Sequence, residues 1–125
     1  MKLTGKVRSG VGNFSYWMAR LEPFYTARTG VKLFPGTLNI ELDQPFDLPE
    51  KAVIRLEKEE YGGMVSVSIL PCRFFDRHAF ILRTDNNAAN QGPHPTTIIE
   101  VACEVKLRDT FNLHDGDIVS VDIEI

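Results

Sequence analysis

Apolar and polar residues alternate with period two along most of this chain, a pattern that predicts strands rather than helices. Near the C-terminus Val119, Val121, Ile123 and Ile125 alternate with Ser120, Asp122 and Glu124. Ile99, Val101, Cys103 and Val105 share one face of residues 97–105, and within 64–70 Val65, Val67 and Ile69 alternate with Ser66 and Ser68. Leu38, Ile40 and Leu42 alternate with Thr37, Asn39 and Glu41. Further strands are expected at residues 3–8, 15–21, 52–57 and 79–83. Helix is scarce. A short one is expected at residues 23–29, where Gly30 suits the position just past a helix end. One or two turns are expected at 106–113, stopped by the His114-Asp115-Gly116-Asp117 turn. Many short strands with few helices predict a mainly β barrel or sandwich, and with no repeat or linker the whole of 1–125 reads as one domain.

One stretch breaks the pattern. Residues 84–95, Thr-Asp-Asn-Asn-Ala-Ala-Asn-Gln-Gly-Pro-His-Pro, are poor in apolar positions and read as a loop. Loops of that length in compact domains are often functional, although composition alone equally fits a plain surface connection.

Composition narrows the classes. A chain of 125 residues can bury a core without staples. A net charge of -3 gives no global pull toward nucleic acid or an anionic membrane. Cys72 and Cys103 lack metal-site spacing and sit in apolar stretches, as buried thiols do. No run of about 18 apolar residues exists and the N-terminus lacks an apolar signal region. The expectation is a cytoplasmic monomer with neither a membrane nor a nucleic-acid partner.

Common catalytic motifs are absent: no Walker-type phosphate loop, no dinucleotide fingerprint, no zincin pair, no nucleophile elbow. Four weaker features stand out. In Phe34-Pro35-Gly36-Thr37-Leu38-Asn39-Ile40 a Pro-Gly turn opens a strand. If Leu38 and Ile40 face the core, Thr37 and Asn39 share the other face. A hydroxyl and an amide oxygen side by side are hard neutral ligands of the kind magnesium takes alongside water and phosphate. On spacing alone a plain strand start explains them better. Gly10 and Gly12, directly after an apolar strand, allow successive backbone N–H groups to point at one anion, or make a hairpin turn. Lys106 and Arg108 offer cations to phosphate oxygens, or a solvated charged face. Glu100, opposite Ile99 and Val101 and close to the long loop, offers a carboxylate to a substrate hydroxyl, or is an exposed strand glutamate.

Their order changes the odds. Gly5 through Gly12, then Pro35-Gly36-Thr37-Leu38-Asn39, Ile99-Glu100-Val101, Leu107-Arg108 and Asp115-Gly116-Asp117 together resemble the archaeal CTP-dependent riboflavin kinases over nearly the whole chain. The family often carries an N-terminal winged-helix domain, for which 125 residues leave no room, so the likeness is to the stand-alone kinase domain. The resemblance implies a six-stranded cradle-loop β-barrel with one or two short helices. It implies transfer of the CTP γ-phosphate to the riboflavin 5′-hydroxyl, giving FMN and CDP. It also implies site residues. Gly10, Val11, Gly12, Asn13, Phe14, Ser15 and Tyr16 would form a first nucleotide-binding loop, and Lys106, Leu107, Arg108 and Asp109 a second. Thr37 and Asn39 would hold Mg2+, Glu100 would be catalytic at the ribityl chain, and Gly92 and His94 would join it in binding flavin. The chain departs from the family pattern at Phe14, where glycine is usual, at Ser15, and at Gly92, which aligns with a flavin-contacting threonine. An isoalloxazine ring needs an apolar wall; Phe74, Phe75, Phe80, Tyr16 and Trp17 are candidates, most of them equally well read as core. A non-catalytic flavin, nucleotide or nucleic-acid-binding module on the same barrel is the alternative.

Overall fold

Alternation is realised as a closed barrel in the computed structural model, which describes residues 1–10, 14–92 and 94–124. The elements run β1 (Lys2–Arg8), α1 (Phe14–Arg20), α2 (Glu22–Thr29), β2 (Leu38–Leu42), β3 (Ile54–Leu56), α3 (Lys58–Tyr61), β4 (Val67–Phe74), β5 (Arg77–Thr84), α4 (Asp85–Ala88), β6 (Ile98–Ala102), α5 (Leu107–Thr110) and β7 (Ile118–Ile123). Six strands pair in the order β4-β5-β6-β2-β1-β7, all antiparallel, and β7 returns to β4 through Cys72↔Ile123 and Arg73↔Asp122. Closure removes the free edges an open sheet would expose. The short β3 pairs with β4 outside the ring. Pro71 falls between the part of β4 that pairs with β3 and the part that pairs with β7, where a missing N–H costs least.

Two apolar clusters sandwich the barrel wall. The interior is filled by one residue set of each strand, including Val7, Leu38, Ile40, Leu70, Ile81, Ile99, Val101 and Val121. A second cluster lies outside the wall, where Met18, Leu21 and Tyr25 of the α1–α2 segment cover Val67, Ile69, Phe80, Leu82 and Ala102. Part of the barrel's outer face is therefore roofed rather than wet.

The barrel and most strands match the sequence expectation. Residues 15–21 do not: they form α1 rather than a strand. Phe14, Trp17, Met18 and Leu21 fall at spacings of three and four, which stacks them on one helix face, and Met18 and Leu21 are buried. Pro23 at the start of α2 and left-handed Gly30 (φ 80°) just past its end bound the second helix. The described residues hold five short helices rather than one or two, three of them four residues long, and one, α4, lies in the segment read as loop.

Candidate functional site

Two cavities flank the start of β2, and α1 contributes to both. The larger, about 590 Å3, lies under the helical roof. Its apolar side is Phe14, Trp17, Leu21, Tyr25 and Tyr61; its polar side is Asn86, Asn87, Gln91 and His94 of the loop around α4, with Glu100 from β6. The smaller, about 310 Å3, is bounded by Ser15, the Phe34-Pro35-Gly36-Thr37 turn, and Lys106, Leu107 and Arg108 at α5.

A hydrogen bond spans from one cavity to the other. Thr37 Oγ1, on the smaller, donates to Glu100 Oε1, on the larger, at 2.9 Å. Strand register makes this possible, because Asn39 of β2 lies opposite Glu100 of β6. Glu100 is not an exposed strand residue: its outward face is the roofed one, and it is only 5% exposed. Burial pushes its carboxyl up to about 7, against weaker opposing effects of the Thr37 hydrogen bond and the Arg83 charge. Arg83 itself is buried and donates to the carbonyls of Phe46, Thr96 and Ile98, so its charge is spent on backbone rather than on Glu100.

Asn39 shares that outer face with Thr37, as alternation predicts, yet it is buried and its Oδ1 has no hydrogen-bond partner among the described residues. A buried acceptor left unmatched costs on the order of 1–3 kcal/mol, so this oxygen is open to a ligand or an ordered water. Gly10 lies directly against it: a Cβ built there would run into the Asn39 amide, so a larger residue would force that amide to shift. The Thr37 hydroxyl donates its O–H to Glu100, leaving its oxygen lone pairs available. No group of three His, Cys, Asp or Glu among the described residues could hold a metal. Two neutral oxygens, one of them orphaned, fit a hard cation that completes its shell with phosphate and water.

His94 is buried on the larger cavity, its Nε2 also without a partner among the described residues, and burial lowers its pKa. Gly92 is tight against Asn87: any side chain at 92 would occupy the Asn87 amide's space. Asn87 in turn accepts from the His94 backbone N–H at 3.5 Å. The described residues between 84 and 94 thus form an organised wall, with Thr84 Oγ1 capping α4 by accepting from the Asn87 N–H at 3.1 Å.

The other expected residues divide. Val11, Gly12 and Asn13 lie outside the described residues. Phe14, Ser15 and Tyr16 form the first turn of α1 rather than an extended loop; Phe14 faces the larger cavity, Ser15 the smaller, and Tyr16 is exposed. Lys106, Leu107 and Arg108 bound the smaller cavity, while Asp109 points away to an exposed pair with Lys106. Of the five aromatics considered for a flavin wall, Trp17 alone lines the larger cavity. Phe74 and Phe80 are core, and Phe75 stacks on Phe111 elsewhere at 4.4 Å between ring centroids. Tyr25, Tyr61 and Asn87 were not anticipated. The spacing of Trp17, Leu21 and Tyr25 carried a helical signal that would have found the first of these.

A family model named CTP-dep_RFKase, described as a domain of unknown function, DUF120, matches residues 7–123. Among curated relatives, a riboflavin kinase of Thermoplasma acidophilum is 33% identical over 97% of this chain and 56% of its own length. One of Pyrobaculum aerophilum is 32% identical over 98% and 60%, and one of Methanocella arvoryzae 30% over 98% and 56%. The chain spans little more than half the length of these relatives. With the model matching all but the two ends of its sequence, the chain belongs to the CTP-dependent riboflavin kinase family, DUF120.

Proposed function

We propose that this chain transfers the γ-phosphate of CTP to the 5′-hydroxyl of riboflavin, giving FMN and CDP. The observation that carries the reading is the Thr37–Glu100 hydrogen bond, which joins a cavity with an aromatic wall to a smaller one edged by Lys106 and Arg108. The isoalloxazine ring would sit against Trp17 and Tyr25, and the triphosphate between the Gly10 segment and α5. Glu100 then lies where acceptor and donor meet.

Phosphoryl transfer needs in-line placement and charge neutralisation more than covalent help. The bond from Pγ to the β-bridging oxygen breaks as the bond from the 5′-oxygen to Pγ forms, and CDP leaves with the bridging oxygen. The 5′-hydroxyl proton passes to Glu100. A carboxyl pushed up to about 7 is poised to take it near neutral pH. Arg108 and Lys106 place positive charge beside the phosphates. Magnesium is the divalent ion proposed; Thr37 and Asn39 would hold it, and it would supply the remaining charge to offset the phosphates.

The test is direct. The protein is incubated with riboflavin, magnesium and either CTP or ATP, and FMN is sought by chromatography. FMN with CTP and not with ATP is expected. Riboflavin binding without product would reassign the chain as a flavin sensor, and neither binding nor product would refute the reading.

A further inference from the structure

The Asp115-Gly116-Asp117 turn is not among the residues lining either cavity, yet it ties the β1 exit, whose Gly10 abuts Asn39, to Arg108 at the smaller cavity. Backbone bonds fix the turn to the end of β1: Gly116 N donates to Val7 O at 2.8 Å, and Val7 N to Asp117 O at 2.9 Å. His114 N donates to Asp117 Oδ2 at 2.8 Å, closing the turn on itself. Asp117 is thereby spent on the turn, and Asp115 is presented outward.

Asp115 uses its two oxygens on two different segments. Oδ2 accepts from Ser9 Oγ at 2.8 Å. Oδ1 takes an N–H of the Arg108 guanidinium, which also reaches Leu113 O at 3.4 Å. Ser9 directly precedes Gly10, the residue pressed on the Asn39 amide. Arg108 bounds the smaller cavity beside Lys106. One carboxylate therefore joins the β1 exit, next to the candidate metal ligand, to the α5 cation that bounds the smaller cavity. A guanidinium has five N–H donors in a rigid fork. Asp115 and Leu113 engage one on each terminal nitrogen, leaving Nε and the other terminal N–H groups for phosphate.

We propose that Asp115 is a positioning residue for the nucleotide: it holds the Arg108 fork and the Ser9-Gly10 segment at a fixed separation before the triphosphate arrives. The inference rests on the nucleotide reading of the smaller cavity. An exposed pair of this kind adds little to stability, so its effect belongs in binding rather than folding. Pre-setting two walls removes an ordering cost that binding would otherwise bear.

The experiment measures magnesium–CTP binding by calorimetry, with riboflavin binding and thermal stability recorded in parallel, for wild type, Asp115→Asn, Ser9→Ala and the Ser9→Ala/Asp115→Asn pair. Asp115→Asn is expected to weaken CTP binding about tenfold while leaving riboflavin affinity and melting temperature close to wild type. The double variant should lose less than the product of the two single effects, because both cut the same tie. Unchanged CTP affinity in Asp115→Asn overturns the proposal. So does tighter CTP binding, which would mean that Asp115 holds Arg108 away from phosphate. A parallel loss of riboflavin affinity and melting temperature also overturns it, by making the tie merely structural. Absence of CTP binding by the wild type overturns it together with the nucleotide reading, whereas CTP binding without FMN formation sinks the kinase activity alone.

Discussion

Replacing Glu100 by glutamine should make the protein more stable and nearly inactive at the same time. The carboxyl lies between the barrel wall and the helical roof, and burial moves its pKa from an ordinary 4.5 to about 7. Above pH 4.5 the unfolded chain gives up this proton, while the folded chain keeps it until about pH 7. In that window the folded state binds more protons, so this group's contribution to stability falls as pH rises. A shift of that size is worth about 3 kcal/mol once pH exceeds the folded value, at 1.36 kcal/mol per unit. Glutamine is neutral throughout and avoids that loss, less what its amide gives up in an imperfect fit. His94 works in the opposite direction, since burial lowers its pKa and it costs stability as pH falls through the folded value. It is present in both proteins and cancels in their difference.

The assay is urea unfolding of both proteins at pH 4, 6 and 8, alongside FMN formation at the same pH values where both proteins stay folded. Wild type and Glu100→Gln should have similar stability at pH 4. By pH 8 the variant should lead by about 2–3 kcal/mol. Its turnover should be lower by roughly 10²–10⁴, the span of general-base contributions. Wild-type kcat/KM should climb with pH to a plateau above about 7 as Glu100 ionises, and the variant should lack that limb. A stability difference that does not change with pH would refute the buried-carboxyl argument. Undiminished turnover would remove Glu100 from proton transfer, whatever the stability data say.

Thr37→Ala combined with Asn39→Ala should lower turnover and weaken its magnesium dependence together; stability should fall by about 1–3 kcal/mol through the lost Thr37–Glu100 hydrogen bond, whereas Asn39 Oδ1 has no partner among the described residues to lose; wild-type rates in a magnesium titration would sink the metal assignment. Gly92→Ala should displace the Asn87 amide and weaken riboflavin binding about tenfold, read by flavin fluorescence quenching; unchanged affinity would detach Asn87 from the flavin site. Arg83→Met should destabilise by about 2–4 kcal/mol in urea unfolding, since three buried carbonyls lose their donor, partly offset by removal of a buried charge; an unchanged midpoint would refute that role.

Strand alternation made the barrel legible because the closed ring repeats one constraint six times. Leu38, Ile40, Ile99, Val101, Val119 and Val121 all turn inward as their spacing requires. The helices were harder to see. Phe14, Trp17, Met18 and Leu21 carry a helical stripe only four residues wide, next to strands whose alternation reads more loudly. The segment at 84–95 read as loop because α4 is a single capped turn, and its wall-forming role depends on Asn87 and Gly92 meeting in space.

Alternation assigns faces, but it does not say what covers them. Thr37, Asn39 and Glu100 were correctly put on the outer face, which in an isolated barrel would be wet. An exposed glutamate and two solvated polar residues then became the simpler account. The missing sign was in the neighbouring strands. Phe80-Ile81-Leu82 is apolar at three successive positions, and Val67 and Ile69 face outward opposite an inward Leu70. Strands apolar on both faces are covered on both. With α1 and α2 laid over β5 and β6, the carboxyl of Glu100 and the amide of Asn39 lose water without gaining a full set of protein partners. That deficit raises the Glu100 pKa and leaves Asn39 Oδ1 unmatched. The chemistry of this site thus comes from a helical roof over an otherwise ordinary pair of polar strand positions. A variant that lifts the roof, Leu21→Ser on its buried face, should return the pH dependence of stability toward that of an exposed carboxylate.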